Sequence, residues 1–86
     1  IYMYEAFIRE YLKRLSLKDI NDFANKNNMH LKQNEDKIIY DFIIKNWKEV
    51  YKGDSIKALN SLKKDVSEDT FNNIMTLYEQ FKNKIK

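Results

Sequence analysis

The sequence predicts an all-α protein: a compact bundle of about five helices around a buried central helix, Asp36–Trp47. Three observations carry this. Proline is absent and glycine occurs once, at Gly53, whereas strand-and-turn folds draw on residues that accept positive φ. Apolar residues make up 43% and aromatic residues 14% of the 86 positions. That is enough for a modest packed core, so 1–86 is read as a single helical domain. Finally, at about 100° per residue, Ile38, Ile39, Tyr40, Phe42, Ile43, Ile44 and Trp47 occupy roughly 240° of one helix circumference. Only a strip through Lys37, Asp41 and Lys45 is evenly polar. A helix apolar that far round must be covered that far round, which places it at the centre.

In the first helix Tyr4, Phe7, Ile8, Tyr11, Leu12 and Leu15 form one amphipathic stripe, with Glu5–Arg9 and Glu10–Arg14 spaced for i, i+4 pairing on the charged face. The aromatic stripe suits a partner as well as a core. It is assigned to the core because so small a domain needs every such stripe for itself. The opening Ile1-Tyr2-Met3 is unlike a natural start, which leaves two readings open: Met3 as initiator, or a fragment of a longer chain.

Ser16 with Asp19 makes a short capping box, and Leu15 with Ile20 a hydrophobic staple, for a second helix over Leu17–Lys26 that buries Leu17, Ile20, Phe23 and Ala24. Asn27-Asn28 stops it, since asparagine tolerates the left-handed conformation. Met29-His30-Leu31 reads as an extended link. Asn34 caps the central helix, with Glu35 and Asp36 at the positive end of its dipole. Val50 and Tyr51 carry that helix on to a stop at Gly53. Asp54 then caps a fourth helix, Ser55–Lys64, with Ile56, Leu59 and Leu62 facing inward. Ser67 caps the last helix, stapled by Val66 and Phe71. Its stripe runs Phe71, Ile74, Met75, Tyr78, Phe81 and Ile85, widened by Leu77, and Lys82, Lys84 and Lys86 suit its negative end.

Several chemistries lack their parts. A single glycine rules out a phosphate-binding glycine loop. With no cysteine and one histidine, His30, thiolate metal sites are excluded and a nucleophile–histidine pair would need Ser55 or Ser61, because Ser16 and Ser67 are better used as caps. His30 beside Glu35 or Asp36 would hold a metal only adventitiously. No catalytic, cofactor or metal residues are expected, and the chain is read as no enzyme. Absent cysteine points to the cytoplasm. No apolar run approaches membrane-spanning length, and acids interleaved among the bases weaken attraction to anionic lipid, so no membrane partner is expected.

Nucleic acid is the alternative partner. Leu17–Ile44 outlines a helix-turn-helix or helix-extended-helix unit, with Ala24 and Met29 where a helix-turn-helix would want them, but the Asn27–Gln33 link is longer than a 3–4-residue turn. The second helix would also bring Glu35 and Asp36 to the phosphates. The net charge of +3 is small, although a local basic patch from Lys13, Arg14, Lys18, Lys57, Lys63 and Lys64 is available. The favoured function is a non-catalytic protein-interaction or self-association module. Tyr40, Trp47, Tyr51 and Tyr78 are its candidate surface, being amphipathic residue types enriched in interface hot spots. The competing expectation is that each lies in the core with its polar atom at the edge.

The order of segments adds a resemblance. Leu-Ser-Leu-Lys-Asp-Ile-x-x-Phe-Ala at Leu15–Ala24, the Lys52-Gly53-Asp54 loop, Leu59-x-x-Leu62, Val66-Ser67-x-x-Thr70 and Leu77-Tyr78-x-x-Phe81-Lys82 together resemble the YqfT-like family of small uncharacterised bacterial proteins, a domain of unknown function. The similarity spans about Leu15 to Lys84. It implies a helical, cytosolic, bacterial protein and transfers no site residues.

Overall fold

The computed structural model describes residues 3–84; Ile1-Tyr2 at the start, and Ile85 and Lys86 of the last helical stripe, lie outside them. Five helices follow one another: α1 Met3–Arg14, α2 Leu17–Lys26, α3 Glu35–Lys52, α4 Ser55–Asn60 and α5 Glu68–Lys84. Among the described residues there is no strand.

The caps explain most boundaries. At the start of α2 the Asp19 N–H donates to Ser16 Oγ (3.2 Å) and the Ser16 N–H donates to the Asp19 carboxylate (3.0 Å), closing a capping box. Its far end is a Schellman motif. Asn28 turns left-handed at φ 58°, the Asn28 N–H reaches Asn25 O, and the Met29 N–H reaches Ala24 O at 2.8 Å. Met29 and Ala24, the two apolar residues such a motif brings together, are both buried. Asp54 caps α4 through the Lys57 N–H (3.2 Å). That helix is shorter than its sequence suggests. After Asn60 the chain tightens into i→i+3 turns through Asp65, with Ser61, Leu62, Lys63 and Asp65 each donating three residues back. Gly53 does end α3, at a negative φ (−109°), and a Cβ there would meet the Glu49 carboxylate at 2.6 Å.

The core forms on faces the sequence marks as apolar, at Ile20, Ala24, Leu59, Leu62 and Phe71, but not around the Asp36–Trp47 segment. The buried apolar residues are Ile20, Ala24, Met29, Leu59, Leu62 and Phe71, contributed by α2, the link after it, α4 with its turn, and the start of α5. The Asp36–Trp47 segment lies within α3, yet the only buried residue of α3 is Glu35, and Ile44 is 42% exposed. The reason is coverage. α2 and α4 pack against two sides of α3, and an 86-residue chain has too few helices to close the remainder. The same shortage leaves Leu17, Phe23 and Ile56 exposed, although their helical spacing marked them for burial.

Glu35 holds the two halves of the chain together. Its Oε1 accepts from the Lys32 N–H (2.8 Å) and the Thr70 hydroxyl (2.6 Å), and its Oε2 accepts from the Ser67 N–H (2.6 Å). The expected cap, Asn34, is instead left-handed at φ 70° and makes no side-chain cap. Glu35, expected only to face the helix dipole, caps the turn before its own helix and the residue before α5. Ser67 Oγ accepts in turn from the Thr70 N–H (3.2 Å), so the expected Ser67 cap is in place.

Candidate interaction surface

The stripe of α1 divides along its length. Its aliphatic edge, Ile8 and Leu12, is half-buried and continues into half-buried Leu15. Its aromatic edge stands in solvent, with Tyr4 69%, Phe7 65% and Tyr11 61% exposed. The assignment of this stripe to the core is therefore corrected for its aromatic half. Monomeric proteins seldom leave three large aromatic side chains side by side in water. Spaced i, i+3 and i+7, they project from one side of the helix, the arrangement by which a helix enters a groove.

α1 is held to the C-terminal half of α3 by charge and stacking. The Glu5 carboxylate receives Lys52 Nζ at 2.8 Å and Arg9 Nη2 at 3.1 Å, with Lys48 Nζ at 3.9 Å. Arg9 and Lys48 approach the ring of Trp47 at 5.5 and 5.8 Å from its centroid. Glu5 opposite Lys52, with Arg9 opposite Trp47, sets the two helices antiparallel. The Lys52 ammonium above all, with Arg9 and Lys48, holds the Glu5 carboxyl below its ordinary value. The expected Glu5–Arg9 pair is present. Glu10, by contrast, takes Lys13 (3.0 Å) rather than Arg14.

The residues put forward as an interaction surface, Tyr40, Trp47, Tyr51 and Tyr78, are all half-buried. They do not form the exposed aromatic row, which lies on α1. Tyr78 carries its own Lys82 at 5.9 Å. A signal for the real row was present in α1: its aromatic residues occupy one edge of the stripe and its aliphatic residues the other, about 70° apart.

The six cations proposed as a basic patch are spread over α1, α2, α4 and the turn after it, and several are already engaged. Lys13 pairs with Glu10, Lys18 with Asp22 at 2.7 Å, and Lys64 with Asp65 at 3.8 Å. The hydrogen bond from Lys18 to Asp22 pushes the Lys18 ammonium above its ordinary value. Lys63 lies 5.8 Å from the Phe71 ring, while Arg14 and Lys57 make no ion pair among the described residues. Glu35 and Asp36, considered as metal partners of His30, are turned to Thr70 and Ser67 and to Asn21 (2.9 Å) respectively. The Asn21 hydrogen bond leads those that lower the Asp36 carboxyl.

The depressions on the described surface include two that bear on function. One, of about 520 Å³, opens between α3 and the Ser61–Asp65 turn, with an apolar floor of Ile38, Phe42 and Leu62. Its rim alternates charge: Asp41 and Lys45 on one side, Lys64 and Asp65 on the other. The smaller, of about 240 Å³, gathers His30, Lys32, Asp69, Asn72 and Asn73.

Fold and surface together define an all-α protein with a solvent-facing aromatic helix. The sequence matches no family model, and comparison with curated proteins and with solved structures finds no match. Among the described residues no helix is long and apolar enough to cross a membrane.

Proposed function

We propose that this protein is a small, non-catalytic interaction module and that the aromatic edge of α1 is its working surface. The observation that carries this is the exposure of Tyr4, Phe7 and Tyr11 in one helical row. Truncating such a row removes the residue types that dominate binding energy at interfaces. The absence of cysteine supports a cytoplasmic setting, and the resemblance to small bacterial proteins supports a bacterial one.

The test is affinity capture from lysate of the source cells, with and without nuclease, using wild type beside the double variant Phe7→Ser, Tyr11→Ser. Partners that survive nuclease and are lost with the variant are the expected result. Partners lost to nuclease alone would shift the function to nucleic-acid binding through the lysine faces.

A further inference from the structure

We propose that α1 is a charge-gated strap: it swings away from α3 as a unit, hinged at Leu15-Ser16, while α2 to α5 stay folded. The strap goes beyond the interaction reading above and requires no partner.

Three features of the molecule converge on it. The first is the position of the core. Its buried apolar residues and the Glu35 clamp on Lys32, Ser67 and Thr70 all follow the Leu15-Ser16 link in the chain. From Tyr4 to Arg14 no residue of α1 is buried. Its least exposed residues, Glu5, Ile8 and Leu12, share one side of the helix and are only half-buried. Departure of α1 therefore opens no hole in the core.

The second is charge. Among the described residues, the ion pairs that join α1 to α3 all converge on Glu5, which Lys48 and Lys52 share with Arg9 of its own helix. The other acid of α1, Glu10, is bound to Lys13. On α3, Glu49 is turned to the Asp54 N–H at 3.2 Å. One carboxylate thus carries the ionic attraction between the helices. Lys48 and Lys52 stand one turn apart and repel each other without it, and Arg9 has the same sign as both. Reversing that single charge turns the ionic contact from a clasp into a repulsion.

The third is the hinge. The capping box that starts α2 closes within Ser16 and Asp19, and Ser16 is extended at φ −128° and ψ 167°. Rotation ahead of it costs α2 none of its cap. Release uncovers the Trp47 ring, over which Arg9 lies at 5.5 Å. It also uncovers Ile8 and Leu12, so that the open form presents the whole apolar stripe of α1, of which Tyr4, Phe7 and Tyr11 already stand in solvent.

Backbone hydrogen exchange of the full chain, read residue by residue by NMR, tests this beside acrylamide quenching of Trp47. A unit that opens by itself loses protection ahead of global unfolding. In about 0.1 M NaCl the α1 amides are expected to be at least about ten-fold less protected than those of Ala24 in α2 and Phe42 in α3. Raising NaCl to about 1 M shortens the screening length from about 10 Å to about 3 Å. Arg9, Lys48 and Lys52 are half-exposed, so salt reaches them. α1 exchange and Trp47 quenching should then rise together several-fold, with Ala24 and Phe42 unchanged. Glu5→Lys and Lys52→Glu should each open the strap at low salt. The double exchange, Glu5→Lys with Lys52→Glu, should close it part of the way back, which altered helix propensity alone does not achieve.

α1 amides as protected as Ala24 and Phe42 would make α1 part of one cooperative unit and overturn the strap. Loss of protection throughout the Glu5→Lys variant would do the same. Faster exchange with unchanged Trp47 quenching would mean that α1 frays in place. Opening that ignores both salt and charge exchange would assign the hold to Ile8 and Leu12 and remove the gate.

Discussion

Glu35 shows how much one side chain decides in a domain this small. It is 4% exposed, and burial by itself would push its carboxyl up. The Thr70 hydroxyl and the Ser67 and Lys32 N–H groups outweigh that and hold it below its ordinary value of 4.5. A carboxyl lowered by folding stabilises fully above that ordinary value, and the contribution is lost as pH falls through the lower folded value. Wild-type Tm is therefore expected to hold from neutral pH down to about 4.5 and to fall below it. Glu35→Gln exchanges a charged acceptor for an amide that must meet three donors. It is expected to cost about 2–3 kcal/mol and roughly 10–20 °C in Tm, with a flatter acid limb, all read by thermal melts across pH. At Asn28, the left-handed C′ position of α2, Asn28→Ala should cost about 1 kcal/mol and Asn28→Gly little or nothing in urea unfolding. The Asn27-Asn28 stop was legible because asparagine has few other reasons to appear twice after a helical stripe. The role of Glu35 was not. An acid in a first helical turn reads as dipole chemistry, and its long-range partners Ser67 and Thr70 lie more than thirty positions away.

Among the elements, α1 and α2 contrast in what secures them. The capping box of α2 is local, and Ser16→Ala should lower stability by about 1 kcal/mol. α1 depends on a helix distant in sequence: Glu5 gathers Arg9, Lys48 and Lys52, and the Trp47 ring carries Arg9 and Lys48. Trp47 is the chain's one tryptophan, so its fluorescence reports this contact directly. Glu5→Gln leaves Arg9, Lys48 and Lys52 without their shared carboxylate, and α1 should loosen. The expected outcome is a larger acrylamide quenching constant for Trp47 with far-UV circular dichroism little changed. An unchanged constant would show that the aliphatic contacts of α1 suffice without the ion cluster. The extent of α3 was legible to within one residue at its start, from its acids, and ran to Lys52 before the Gly53 stop. Its burial was not, because periodicity states which faces are apolar and not whether neighbours exist to cover them.

For the molecule as a whole the shape follows from supply. The radius of gyration is 12.6 Å, against about 12 Å for a compact chain of this length. The buried apolar residues sit between α2, α4 and the start of α5, so α1 lies outside that core. Changes on its outer edge should accordingly separate association from stability. Phe7→Ser is expected to leave Tm within a few degrees of wild type, whereas Leu59→Ala, in the core, should cost about 2–4 kcal/mol. Equal losses in the two variants, read by calorimetry in dilute solution, would mean that the edge is packed after all.

What the sequence determined by itself was local. The missing proline and single glycine exclude turn-rich sheets, Ser16-x-x-Asp19 and Ser67 start helices, and Asn28 ends one, each through neighbours a few positions away. The tertiary structure alone decided which apolar residues are covered. Tyr4 and Ile8 share one stripe, and Leu17 and Ile20 one helix, yet only the second of each pair turns toward its neighbours. An apolar stripe sets a demand for burial along the chain, while the number of helices available to meet it is a property of the assembled whole. In this chain the demand exceeds the supply, and the excess stands most densely on α1, with Leu17, Phe23, Ile44, Ile56 and Phe81 exposed elsewhere.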